Sequence, residues 1–335
     1  MHHTISIPLP IRFDDESAIA FVNAIGPYND YDEIVFDFKQ VAWVRPFPTL
    51  VIALAIRRMV RFRKKHRLST SLTGHDNPFA ASAYLKHFGF FRFIGLDIGK
   101  APDEAPGGAT YQPIRVVTRA AIESSARGQP IQEEIDRRSD ELSEVIYPFD
   151  INPGPAMMVS YALREIMRNV FEHAQTAECF VMAQRWYSGE AEIVIADEGI
   201  GIHRSLNTVF GQLSPKEAVE KCLLPGITSR DVKETGSEWD NSGFGLYVVS
   251  ELGRRFGSFS IISSEIAIRQ NNGARHLERI DLPSTVVKLC VDTKDADYFP
   301  NILSEIVARG EQAAGHIPGA IVTASKASKS FNRQR

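Results

Sequence analysis

Three side chains spaced four residues apart, Glu165, Asn169 and His173, carry the strongest chemical signal in the chain. On a helix this spacing stacks them along one face over roughly 12 Å, while Leu163, Ile166, Met167 and Val170 cover another. One side packs; the other offers a carboxylate, a carboxamide and an imidazole in a row. An apolar run from Cys179 to Trp186, a Ser188-Gly189 turn and the run Ile193-Val194-Ile195-Ala196 then read as a β-hairpin. Its second strand ends in Asp197-Glu198-Gly199-Ile200-Gly201. A strand-end carboxylate followed by two glycines suits a ligand that the backbone must approach closely. A third signal is Asn241-Ser242-Gly243-Phe244-Gly245-Leu246, a glycine-punctuated turn running into an apolar helix, whose first N–H groups suit an anion such as a polyphosphate. About forty polar residues, including Pro225-Gly226-Ile227-Thr228-Ser229-Arg230, separate the second signal from the third, a length that suits a mobile flap. Each piece alone is common. Their order and spacing carry the reading.

Taken together, residues 113–293 resemble the ATP-binding domain of the gyrase, chaperone, histidine kinase and mismatch-repair superfamily (GHKL), with the anti-sigma-factor serine kinases closest in style. By that resemblance Glu165, Asn169 and His173 match the N-box. Asn169 would then place its amide oxygen on Mg²⁺, and Glu165 would be the general base for the group attacking the γ-phosphate. Asp197, Gly199 and Gly201 match the first glycine box, in which the carboxylate accepts the adenine amino group. Gly243, Gly245 and Leu246 match the second, phosphate-facing box, with Asn241 where a first glycine is frequent. Thr285 falls where the family places a threonine near the adenine-binding acid, and Thr228 and Arg230 resemble a phosphate-contacting lid segment. The fold implied is a Bergerat-type α/β sandwich, a mixed sheet covered by helices on one face.

The elements that must position these residues lie in a chain of 335 residues, 44% hydrophobic, which is long enough for two domains. Glu33-Ile34-Val35-Phe36-Asp37-Phe38 alternates as a strand, Thr49 is placed to cap a helix from Leu50 to about Phe62, Leu68 to Thr73 is a second strand, and a helix follows near Phe79–Phe88. This order resembles a STAS-type domain, although Arg45-Pro46-Phe47-Pro48 stands where its phospho-switch members carry an acceptor serine. Domain boundaries are expected at 1–100 (STAS-like), 101–112 (linker, rich in Pro and Gly), 113–305 (GHKL) and 306–335 (a flexible tail, where periodicity fades). The surface helix expected over Ile131–Val145 and Pro155 in the first turn of the central helix complete the frame.

A net charge of −3 with 24% charged residues gives no global pull toward nucleic acid. Locally, residues 57–67 hold seven Lys/Arg, which read either as a solvated helix end or as a patch for nucleic acid or an acidic partner. The cysteines, Cys179, Cys222 and Cys290, are far apart and read as core thiols of a cytoplasmic protein. No run approaches the ~20 apolar residues of a membrane span. The absence of a Gly-x4-Gly-Lys-Ser/Thr loop disfavours a P-loop NTPase, and without a His-Glu/Asp acceptor on a helical hairpin histidine autokinase activity is not expected. The expected function is a Mg²⁺-dependent ATP-binding enzyme, an ATPase or a protein serine/threonine kinase, with a protein partner or substrate; homodimerisation is compatible with it. The alternative is a non-catalytic, nucleotide-gated module recruiting protein or nucleic acid through the STAS-like domain and helix 57–67. A metal-dependent hydrolase using Glu165, Glu172 and His173 is a third reading, with no further His/Asp cluster to support it.

Overall fold

Alternation of apolar side chains builds a small parallel sheet at the N-terminus, β1 (Thr4–Pro8), β2 (Glu33–Asp37) and β3 (Ser69–Thr73), in the spatial order β1-β2-β3. The computed structural model describes residues 3–76, 81–102, 104–151, 153–229, 242–271, 273–292 and 298–329. Helix α1 (Asp15–Ile25) joins β1 to β2 and is closed by a capping box, Ser17 N–H donating to Asp14 Oδ1 at 2.9 Å and Asp14 N–H to Ser17 Oγ at 3.1 Å. Neither β1 nor α1 was expected from the sequence.

Helix α2 (Pro46–Lys65) starts four residues earlier than its expected first residue, with Arg45 as N-cap and Pro46 at the first helical position. Thr49 is fully buried within the first turns and does not cap the helix. Phe47 N–H instead donates at 2.8 Å to the buried Glu192 carboxylate, a negative charge at the positive end of the helix. The short helices α3 (Ala81–His87) and α4 (Phe90–Phe93) close this layer.

The second sheet contains β4 (Tyr111–Thr118), β5 (Glu178–Arg185), β6 (Glu190–Asp197), β7 (Gly257–Ser263), β8 (Ile266–Asn271), β9 (Ala274–Arg279) and β10 (Thr285–Asp292). Its order is β4-β5-β6-β10-β7-β8-β9, and every neighbouring pair is antiparallel. The expected mixed sheet is thus corrected: hairpins join β5 to β6, β7 to β8 and β8 to β9, and β6 and β7 both run against β10. Between β4 and β5 come α5 (Arg119–Ala126), α6 (Ile131–Ile146) and α7 (Pro153–His173). Between β6 and β7 come α8 (Gly201–Phe210), α9 (Pro215–Lys221) and α10 (Gly245–Phe256); the described part of the expected flap is helical in α8 and α9, and residues 230–241 lie outside the described residues.

Side chains of the sheet alternate between two apolar clusters. Val181, Ile193, Ile195, Ile261, Val287 and Leu289 pack with α7 and α10. Phe180, Met182, Val194, Ala196, Ile262 and Val286 pack with α2 and the N-terminal layer. A sheet apolar on both faces needs cover on both, and α2, buried without interruption from Pro46 to Ile56, supplies the second. Each large apolar side chain that α2 buries, against this sheet or against its own layer, contributes about 1.5–3 kcal/mol.

Helix α6 is not a free surface helix, because Ser143 Oγ donates to Ala156 O at 2.7 Å and Ser160 Oγ to Asp140 Oδ1 at 2.6 Å. The segment expected to be a tail is helical in α11 (Phe299–Ala314), and α12 (Lys326–Lys329) follows. A Cβ on Gly310 would lie 2.6 Å from the Tyr247 ring, so a small residue that reads as disorder permits close packing of α11 on α10. Among the described residues no helix is long and apolar enough to cross a membrane, and all three cysteines are buried free thiols.

Candidate functional site

Helix α7, the end of β6 and the starts of α8 and α10 border an open cleft with about 780 Å³ of empty space, its mouth and adjoining solvent included. From α7, Asn169 and His173 line it; from the β6 end, Asp197 and Gly201; from the loop after α9, Thr228; from the α10 turn, Gly243, Gly245 and Leu246; and from β10, Thr285. Gly199 lies beside it and Glu165 one turn behind it. Arg230 and Asn241 lie outside the described residues.

Sheet register brings Thr285 directly opposite Asp197. Asp197 is 2% exposed, and its Oδ1 accepts Gly199 N–H at 2.8 Å. Burial, reinforced by the neighbouring charge of Glu198 and opposed by that N–H, pushes its carboxyl up to about 7. A buried acid with one internal donor retains acceptor capacity toward the cleft. Gly199 is required by contact: a Cβ there would sit 2.1 Å from Ala174 O, whose carbonyl also accepts Ile200 N–H at 2.8 Å. Chain reversal at Gly201 uses φ +76°, and the first turn of α8 is capped from another strand, Ile202 N–H donating to Ser263 Oγ at 3.0 Å and His203 N–H to Ser264 Oγ at 3.1 Å. Ser263 Oγ also lies 3.1 Å from Thr285 Oγ1.

The opposite end is built from loops. Gly243 has φ +71° and its Cα faces the Ile227 backbone so closely that a Cβ would come within 2.5 Å of it. Gly226 N–H donates to Gly243 O at 3.1 Å, and Gly226 O accepts Ile321 N–H at 2.8 Å. Ser325 N–H donates to Ser242 Oγ at 2.9 Å. The C-terminal segment therefore straps both sides of this turn. Gly245 begins α10, whose leading N–H groups have no intrahelical acceptors by the geometry of a helix. In the loop after α9, Ser229 Oγ bridges His173 Nδ1 at 3.0 Å and Ser205 Oγ at 2.8 Å.

Glu165 differs from its row-mates. It is buried, and Arg164 Nε and Nη2 lie 3.2 and 3.1 Å from its Oε1. Its Oε2 faces Gly245, where a Cβ would lie 2.2 Å away. Thus the helical row divides: Asn169 and His173 face the cleft, while Glu165 faces the root of the glycine turn.

Among the described residues, the one cluster of three or more carboxylate, thiol or imidazole side chains close enough to hold a metal is Glu190, Glu192 and Cys290, which includes no imidazole. It includes none of Glu165, Glu172 and His173, and the Arg45 guanidinium fills it, pairing with Glu190 and, at 2.8 Å, with Glu192. In the basic segment, Arg57 and Arg61 pair with Glu198, Arg58 with Asp281, and Lys64 with Gly95 O. Arg63 is fully buried and donates to the carbonyls of Asn29, Tyr31 and Ser69. Cations that read as a patch are largely engaged within the chain. Ser263, Ser264, Ser229 and Ile321 were missed in the sequence because each acts across 20 or more residues; the adjacent serine pair at the end of β7 was the one local cue. Comparison with protein-family models finds no match, and comparison with curated proteins finds none.

Proposed function

We propose that this protein binds ATP with Mg²⁺ and transfers the terminal phosphoryl group to water or to a protein hydroxyl. One observation carries the reading: residues from five separate stretches, Asn169 with His173, Asp197 with Gly201, Thr228, Gly243 with Gly245 and Leu246, and Thr285, border a single cleft. Its ends differ in the way the ends of a purine triphosphate differ. At the strand-built end, Asp197 accepts the exocyclic amino group of adenine, with the Thr285 hydroxyl beside it. At the other, a glycine turn and a helix start present N–H groups to phosphate oxygens.

The donors present fit Mg²⁺, which prefers oxygen and keeps several waters, since Asn169 offers an amide oxygen to a shell completed by phosphate and water. When bound, the ion neutralises charge on the phosphates. Glu165 is the proton acceptor for the attacking hydroxyl, with Oε1 held by Arg164 and Oε2 directed at the start of α10. The N-terminal layer, STAS-like in its element order, is the surface for a protein partner.

Calorimetric titration of Mg·ATP tests the site. Asn169→Ala and Asp197→Ala are each expected to weaken binding more than a hundredfold, and wild-type affinity in either would reject it. Glu165→Gln is expected to bind ATP but to turn over roughly a thousandfold more slowly. A second reading, in which nucleotide acts only as a conformational ligand, is favoured by the pairing of Glu165 with Arg164 outside the cleft lining. Wild-type protein that binds ATP yet never consumes it, with or without candidate protein substrates, would establish that one.

A further inference from the structure

We infer that Arg57 and Arg61 of α2 are positioning residues for Asp197, acting through Glu198, so that the N-terminal layer sets how selectively the cleft takes an adenine nucleotide. The inference rests on the ATP reading above. Strand alternation explains how a helix on the far face can matter: Ile195 and Asp197 point toward the cleft, while Ala196 and Glu198 point toward α2. Arg61 Nη1 lies 2.8 Å from Glu198 Oε2 and Arg57 Nε 3.7 Å from the same oxygen. Arg57 has little freedom to move, since its guanidinium sits 4.5 Å from the Phe93 ring centroid and 4.8 Å from that of Phe180, with Glu178 at 3.9 Å.

Glu198 is the residue between Asp197 and the Gly199 N–H that holds Oδ1. Its side chain anchors the turn to α2, while Ala174 O anchors the same turn to α7 through Ile200 N–H. The turn is gripped from both faces of the sheet. Charge makes the position of Glu198 matter, because its carboxylate opposes ionisation of Asp197 and the two guanidiniums hold it on the α2 side of the turn. Only an ionised, fixed Asp197 rewards the adenine amino group over the carbonyl oxygen that guanine carries at that position.

The test is a double-mutant cycle on full-length protein, with ATP and GTP affinities from calorimetry and the thermal midpoint as the structural control. Arg61→Gln is the chosen variant because the Arg61 side chain is 54% exposed, whereas Arg57 is packed between rings. It is expected to weaken ATP binding roughly fivefold, to narrow the ATP-to-GTP ratio by the same factor and to leave the thermal midpoint unchanged. In a Glu198→Gln background the same change is expected to have no further effect. An unaltered nucleotide ratio in Arg61→Gln, or a loss that persists undiminished beside Glu198→Gln, overturns the inference alone. Wild-type protein that binds no ATP overturns the ATP reading with it.

Discussion

The two ends of the cleft are built by different means. Asp197 and Thr285 stand on adjacent strands, with Ser263 behind Thr285 on a third, and their relative position follows from sheet register. Gly243 stands on a loop that leads into α10 at Gly245, held by the Ile227 backbone, by Gly226 and by a segment about eighty residues further along the chain. At the strand-built end, geometry is a by-product of folding the sheet. At the glycine end it rests on contacts between loop segments distant in the chain, including Gly226 with Gly243 and Ser325 with Ser242.

Two glycine substitutions should separate the ends most strongly. In Gly199→Ala the new Cβ would collide with Ala174 O, forcing α7 and β6 apart. A loss of about 2–3 kcal/mol of stability is expected in denaturant titrations, with nucleotide binding lost alongside. In Gly243→Ala, steric conflict with Ile227 and a left-handed φ should abolish ATP binding, with a stability loss about half as large because loop backbone can yield. Equal stability losses would erase the distinction between the ends.

Truncation after Gly315 attacks the glycine end most directly, although it also removes buried Ala324 from the core and the Ser328 carbonyl that accepts from the Tyr161 hydroxyl. It removes the donors Ile321 N–H and Ser325 N–H from the loop stems, and at about 1 kcal/mol each the expected loss of ATP affinity is roughly thirtyfold. Ser242→Ala, which removes the acceptor for Ser325, should reproduce part of that loss in the intact chain. Affinity unchanged by truncation would show that the strap is a bystander.

Legibility follows the same division. The helical row, the hairpin and the strand-end acid were readable because helix and strand periodicity are local, and Glu165, Asn169, His173 and Asp197 fall on α7 and β6. The antiparallel character of the large sheet was not readable, because β10 inserts between β6 and β7 and only long-range pairing decides its direction. The basic run at 57–67 left a solvated helix end and a partner patch both open, because sequence does not reveal that Glu198, Asp281 and the carbonyls around Arg63 wait across the fold. Gly and Ala in α11 lowered its apparent periodicity although they are what lets it pack.

Acidification should strike the strand-built end. The folded-state carboxyl of Asp197 is raised to about 7, above its ordinary value of 3.8, so the ligand-free protein holds a proton that the unfolded chain has released. Its contribution favours folding at low pH and is lost as pH rises toward 7; Asp136, raised to about 6 on α6, adds in the same sense. ATP, whose amino group donates to the ionised form, has the opposite dependence. Affinity is expected to fall roughly tenfold from pH 8 to pH 6, and Asp197→Asn should flatten that profile. A slope retained in Asp197→Asn would assign it to another group.

The smallest effect should come from Ser263→Ala. Ser263 is fully buried, accepts Ile202 N–H and lies beside Thr285 Oγ1, so its loss strips the first turn of α8 of one cap. About 1 kcal/mol of stability is at stake. Because Asp197 takes its internal hydrogen bond from Gly199 and not from this serine, ATP affinity should change less than threefold. A larger change would mean that the Ser263–Thr285 hydroxyl pair, and not register alone, aims the strand-built end at its ligand.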